Sequence, residues 1–237
     1  MMKKKIAVTT GSRAEYGILK PVLYEIKKHP KLKLHLIVTG MHLLKEHGLT
    51  INQIKKDDFK VFHKIHSFVG RKKSDEAMVF AIGKILCDLS KLFRKHKPDL
   101  VLTGFDIGAN FALCVAGAHF NIPVIHIQGG EVSGSIDESI RHAMSKFSNY
   151  HFVANQDARK RLIKMGEDKK KIFTVGCPSL DALRLAPDLN IDKLSRKFNI
   201  NFRKDFLCIL QHPVTTEKES SKKQILETFK AIKKIKL

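Results

Sequence analysis
The sequence predicts an α/β protein built on a doubly wound parallel sheet, and three observations predict it. Short β-branched runs alternate with longer segments of helical period from the N-terminal end to Gly176. The turns that follow several of these runs are polar and rich in glycine, as expected where such a sheet meets its ligands. With 237 residues, 43% of them hydrophobic, the chain can bury the core of one large domain, or of one domain and part of another.

The first run, "KIAVTT", is followed by the helical segment "GILKPVLYEIKKH"; then come strand "KLHLIVTG", a helical region around "MHLLKEHG", and strand "KVFHKIHS". The strongest helix is "SDEAMVFAIGKILCDLSKLFRKH". Met78, Ile82, Ile85, Leu86, Leu89 and Phe93 recur there at spacings of three and four and predict its buried face, after a capping-type Ser74-Asp75. Pro98 ends it, because the chain before a proline leaves the helical region, and strand "DLVLTG" begins. A helix of small residues from about Gly108 to His119, strand "PVIHI", a glycine- and serine-rich loop, and a helix from about Asp137 to Phe147 follow. Strand "YHFVAN", helix "QDARKRLIKMG" and strand "IFTVG" complete the domain.

Beyond "CPSLDALRLAPDLN" the pattern changes to a proline-bearing link, one short helical stretch, a single apolar strand in "DFLCILQHPVTTE" and the amphipathic "SKKQILETFKAIKKIKL". One strand with two helices cannot bury its own faces. The reading is therefore a first domain over residues 1–180 and, over 181–237, a linker with the opening part of a second domain, in a truncated chain.

The formal charge of +21 would suit a phosphate-rich partner, but the lysines lie in short clusters along the whole chain and read as solvated helix faces. No aromatic RNP motif or GXXG clamp accompanies them, so no nucleic-acid partner is expected. Cys87, Cys114, Cys177 and Cys208 form no CxxC pair, and three sit in apolar runs, which predicts reduced core thiols and a cytoplasmic protein. No signal peptide or membrane span is legible; the most apolar later stretch is broken by Asn110, His119, Asn121 and Pro123. The turn "TTGSRAEYG" is not GxGxxG, and the pairs His42 with His47 and His63 with His66 lack a third ligand, so neither a nicotinamide nor a metal is expected.

Four polar sets fall at predicted strand ends. Gly11 to Tyr16 follows the first strand, where helix-start amides and the Arg13 fork could grip an anion; Glu15 complementing the helix dipole is the plainer account. Asp106 follows "LVLTG", as a helix-start carboxylate or an acid–base group. Gly129, Gly130 and Gly134 let the backbone approach a ligand, with Glu131 at a strand end and Asp137 at a helix start. Two such carboxylates can face one cleft and move protons on a sugar ring, or Asp137 and Glu138 can cap the helix that presents Arg141. His212 closes the last predicted strand, where as a cation it would support a departing phosphate across a cleft.

Together the phrases "GSRAEYG", "HIQGGEVSGSIDESIRHAMSKFSNYHF", "VGCPSLD" and "LQHPVTT" resemble the hydrolysing UDP-N-acetylglucosamine 2-epimerases of the sialic-acid type, from Lys4 to about Phe229. The resemblance implies two Rossmann-like domains facing a cleft, as in GT-B glycosyltransferases, with UDP held mostly by the second. It implies conversion of UDP-N-acetylglucosamine and water to N-acetylmannosamine and UDP without nicotinamide or metal, in a cytoplasmic homo-oligomer, a dimer or tetramer. It implies Asp106, Glu131, Asp137 and His212 as catalytic residues and Arg13 near the diphosphate; Gly130, Ser133, Arg141 and His142 complete the expected substrate contacts. The family's serine-bearing glycine loop and uridine-binding glutamate would lie beyond Leu237. Two other readings stand beside this one: the same chemistry on a bacillosamine-type UDP-sugar for legionaminic acid synthesis, and an inactive remnant.

Overall fold
A computed structural model of the chain describes residues 2–68, 75–105, 107–186, 189–213, 217 and 220–235. Among the described residues seven strands form one all-parallel sheet. They are β1 (Lys4–Thr10), β2 (Leu32–Thr39), β3 (Val61–Ile65), β4 (Leu100–Gly104), β5 (Val124–Ile127), β6 (Tyr150–Val153) and β7 (Ile172–Thr174), in the order β3-β2-β1-β4-β5-β6-β7. The order reverses between β1 and β4, and a crevice opens at the carboxyl ends of the strands on such a switch point.

Each strand alternates its side chains between two faces, and both faces are covered. Ile6, Val8, Leu36, Val38, Leu102 and Ile127 pack with Tyr16, Leu19 and Leu23 of α1 (Arg13–Lys28) and Ile51 and Ile54 of α2 (Ile51–Lys56). Ala7, Ile37, Val101 and Val124, one residue out of step, pack with Ile85, Leu89 and Phe93 of α3 (Asp75–Lys95), Leu113 and Cys114 of α4 (Gly108–His119) and Met144 of α5 (Ile136–Phe147). A smaller cluster joins Val153 and Ile172 to Ala158 and Leu162 of α6 (Gln156–Lys164). The next helix, α7 (Pro178–Arg184), packs on α1. No helix among the described residues is long and apolar enough to cross a membrane.

Several expectations are corrected. Helix α1 starts at Arg13, not Gly17, because Ser12 and Glu15 form a capping box that draws the turn into the helix. The "MHLLKEHG" region winds into two short 3₁₀ turns, Gly40–Leu43 and Lys45–His47. On α3 Ile85, Leu89 and Phe93 are buried and Ile82 and Leu86 partly so, but Met78 is 54% exposed and Ala77 and Ala81 take the inner positions. The cap expected at Ser74 lies outside the described residues. Of the four cysteines, all free, only Cys114 is buried; Cys87 and Cys208 are exposed, so membership of an apolar run did not make them core thiols.

Residues 1–184 and 185–237 form two compact units. The second contains α8 (Ile191–Phe198) and α9 (Ser221–Ile232), but residues 205–213 form no strand and are exposed. A strand needs a neighbour to satisfy its amides and carbonyls, and no other described segment of this unit supplies one.

Candidate active site
The β1–α1 turn is organised around a buried carboxylate. Glu15, 2% exposed, accepts on Oε2 from the backbone N–H of Gly11 at 2.8 Å and of Ser12 at 3.4 Å, and from the Thr10 hydroxyl at 3.5 Å. On Oε1 it accepts from Asn110 Nδ2 of α4 at 2.5 Å. Burial pushes its pKa up to about 7 against the opposing pull of these hydrogen bonds. The amides expected to greet an external anion are therefore already taken by Glu15. Arg13, exposed on the first turn of α1, remains the group that could meet an anion there. Thr10 continues the network to buried His42, whose other ring nitrogen meets Thr50 Oγ1 at 2.7 Å; burial lowers the His42 pKa to about 4, so the ring is neutral and structural.

The β5–α5 loop is tied at nearly every residue. Gln128 adopts φ +60° and donates its N–H to Phe152 O at 2.8 Å. Gly130 combines φ +82° with a site where a Cβ would lie 2.5 Å from the Ala158 carbonyl, and a Cβ on Gly129 would lie 2.8 Å from His126 Nδ1. Only glycines let this backbone pass. The Gly130 carbonyl accepts from Arg161, and the Glu131 carbonyl accepts from Arg141 Nη1 at 2.9 Å. The half-buried Glu131 carboxylate accepts from Asn155 Nδ2 at 2.8 Å, while Asn155 Oδ1 caps α6 through Ala158 N–H at 2.8 Å. One side chain thus fixes both a helix start and the rotamer of Glu131.

Helix α5 is capped by Ser135, whose hydroxyl accepts from Asp137 N–H at 3.3 Å and donates to Asp137 Oδ2 at 3.1 Å, so Asp137 lies inside the first turn and is not the cap. Glu138 is a clamp on the loop: Oε2 accepts from the N–H groups of Ser133 and Gly134, both at 2.8 Å, and these bonds hold its carboxyl below the usual range. His142 Nε2 stands 3.8 Å from Glu138 Oε1, and the Ser133 side chain is exposed. Beneath the loop, His126 is fully buried with Nδ1 3.0 Å from Ser145 Oγ; burial first, then the charges of His151, Arg141 and His142, push its pKa down to about 3.

Because β1, β4 and β5 are adjacent in the sheet, the turns bearing Arg13 and the Glu131 loop share one edge. Gly130, Glu131, Ser133, Asp137, Arg141 and His142 lie on a single loop and its helix. Asp106 lies outside the described residues, although its neighbour Phe105, at the end of β4, has φ +65°. A second non-glycine left-handed residue at a neighbouring strand end, after Gln128, marks this edge as one where strain is held by its surroundings. His212 is exposed in the second unit and ends no strand. Among the described residues no cluster of three His, Cys, Asp or Glu is arranged to hold a metal. Glu15, Asn110 and Asn155 were not read from the sequence as site residues. The Ser12-x-x-Glu15 spacing could have revealed the capping box and the position of Asn155 its cap, but nothing local reveals that Asn155 reaches Glu131.

The family model for UDP-N-acetylglucosamine 2-epimerase matches residues 24–237. A Legionella pneumophila protein named UDP-N,N'-diacetylbacillosamine 2-epimerase (hydrolyzing) is 38% identical over 230 residues, covering 97% of this chain and 61% of the relative. A UDP-N-acetylglucosamine 2-epimerase of Neisseria meningitidis serogroup B is 35% identical, covering 97% of this chain and 59% of the relative. The solved structure of a Neisseria meningitidis UDP-GlcNAc 2-epimerase bound to UDP-GlcNAc superposes with a TM-score of 0.67 at 22% identity, over 84% of this chain and 52% of that one, a likeness of fold. The chain thus spans about 60% of the length of these curated relatives.

Proposed function
The chain belongs to the UDP-N-acetylglucosamine 2-epimerase family, and from that premise we propose that it carries the sugar-facing half of a hydrolysing 2-epimerase that converts UDP-N-acetylglucosamine and water to N-acetylmannosamine and UDP. The observation that carries this reading is Glu131, a carboxylate held in one orientation by Asn155 at the carboxyl edge of the sheet, on a loop whose glycines let the backbone pass close against its neighbours.

The C2 proton of the sugar is too weakly acidic to leave unaided, so its removal is coupled to departure of UDP from C1. Glu131 or Asp137 takes the proton, with Asp106 assisting, while the C1–O bond breaks and its electron pair leaves with UDP; the product is 2-acetamidoglucal. Arg13 stabilises the charge that develops on the diphosphate, and His212 is the catalytic residue proposed for the second unit. Water then adds its hydroxyl at C1 and a proton arrives at C2 from the opposite face. Gly130, Ser133, Arg141 and His142 make the remaining substrate contacts. No nicotinamide or metal enters. Residues 181–237 begin the nucleotide-binding domain, and the protein works as a homo-oligomer, a dimer or tetramer, in the cytoplasm.

Proton NMR of UDP-N-acetylglucosamine in D₂O, with this chain and with a form extended through the second domain, is expected to show free UDP and N-acetylmannosamine deuterated at C2. Product without deuterium at C2, or no turnover by either form, rejects the reaction. Glu131→Gln is expected to abolish turnover while UDP still binds; retained turnover removes Glu131 from the mechanism. A second reading, favoured by the 38% identical Legionella relative, is the same chemistry on a UDP-2,4-diacetamido-trideoxyhexose for legionaminic acid synthesis, and parallel turnover of the two sugars decides between them.

A further inference from the structure
The buried Glu15 lies beneath the candidate edge, not in it, yet it links the two elements that flank the switch point. Its carboxylate gathers the N–H groups of Gly11 and Ser12 on the turn that carries Arg13. Its other oxygen holds Asn110, which is itself buried and tied in three further directions: Nδ2 to Gly104 O at 2.6 Å, Oδ1 from the Thr9 hydroxyl at 2.7 Å, and its carbonyl from the Thr103 hydroxyl at 3.0 Å. These bonds join β1, the β1–α1 turn, the end of β4 and the first turn of α4, and the connection from β4 to α4 is where Asp106 stands in the sequence.

A hydrophobic contact could glue these elements equally well but would let them slide. Hydrogen bonds to a fixed carboxylate and a fixed amide define distance and direction, and in a buried setting losing one leaves donors unsatisfied. The strained Phe105 at the end of β4 needs such a surrounding restraint.

We propose that Glu15 and Asn110 form a positioning brace that sets the spacing between the Arg13 turn and the carboxyl end of β4, so that the diphosphate grip is held in register with that strand end across the switch point. The consequence for catalysis rests on the proposed function; the brace itself does not.

Amide hydrogen exchange on the 237-residue chain tests the brace without substrate. Glu15→Gln replaces one accepting oxygen by an NH2 that faces N–H donors, and exchange at Gly11 and Ser12 is expected to rise about tenfold. The amides of Asn110 and Phe111, which bond to Ile107 O and not to Glu15, are expected to rise with them. Asn110→Ala, the second variant should Glu15→Gln fail to fold, is expected to raise exchange at Gly11 and Ser12 from the other side. A rise confined to the mutated element in either variant overturns the brace.

In whichever form turns over UDP-sugar, Glu15→Gln is expected to lower kcat by about 10²-fold with KM changed less than about threefold. An unchanged kcat, or a loss wholly in KM, overturns the positioning role. Absence of turnover in the parent would reject the proposed function and leave the exchange result to decide the brace.

Discussion
Asn155 performs two jobs that different substitutions separate. Asn155→Ser keeps an oxygen to cap α6 but loses the amide that holds Glu131, so stability is expected to stay within about 0.5 kcal/mol while turnover falls roughly 10- to 100-fold. Asn155→Ala loses the cap as well and is expected to cost about 1 kcal/mol more in urea unfolding. Equal turnover by Asn155→Ser and the parent would deny the residue any role in placing Glu131. The candidate carboxylates and Arg141 were legible because glycines and acids cluster where a strand of a doubly wound sheet ends. Their supports were not, because Asn155 and Glu131 are distant in sequence and meet only when the ends of β5 and β6 lie side by side in the sheet. Likewise the Gly11 and Ser12 amides read as an anion site until folding put the Glu15 carboxylate on them.

At the scale of the element, helix α3 tests how far periodicity alone can be trusted. Leu89 and Met78 both fall on its apolar repeat, but Leu89 is 0% exposed and Met78 54%. Leu89→Ala is expected to cost about 2–5 kcal/mol and Met78→Ala under about 0.5 kcal/mol, both read from urea midpoints. Comparable losses would mean that the amino-terminal turns of α3 are packed as tightly as its middle. Element type was readable nearly throughout the first unit, since periods of two and of three to four residues are set by the backbone itself. The failure at residues 205–213 has the opposite cause: an apolar run has strand propensity, but a strand is a property of at least two segments. Backbone amides there are expected to exchange with little protection while β1, β4 and β5 are strongly protected; strong protection of 206–211 would reveal a partner strand.

For the whole molecule, buried histidines set the response to acid. Burial lowers His35 and His42 to about 4 and His126 to about 3, against about 6.5 in the unfolded chain. Between these values the unfolded state binds more protons, so this stability is fully present above about pH 6.5 and is lost as pH falls toward 4, on the order of 2–3 kcal/mol for each ring. Glu15 acts in the other direction: with its pKa raised from 4.5 to about 7, the folded state binds the extra proton and its contribution grows on acidification. Urea unfolding at pH 8, 6 and 5 is therefore expected to show falling stability, and Glu15→Gln a steeper fall. A flat profile would mean that the rings take up protons in the folded chain as readily as in the unfolded one. By itself the sequence determined the alternation of strand and helix, the parallel sheet that follows from it, and the loop that holds the candidate carboxylates, all of which depend on residues near one another in the chain. Tertiary structure alone decided which polar groups meet, from Glu15 with Asn110 to Asn155 with Glu131, and which apolar runs are buried. Those outcomes depend on hydrogen bonds and packing between segments whose separation in sequence carries no record of their distance in space.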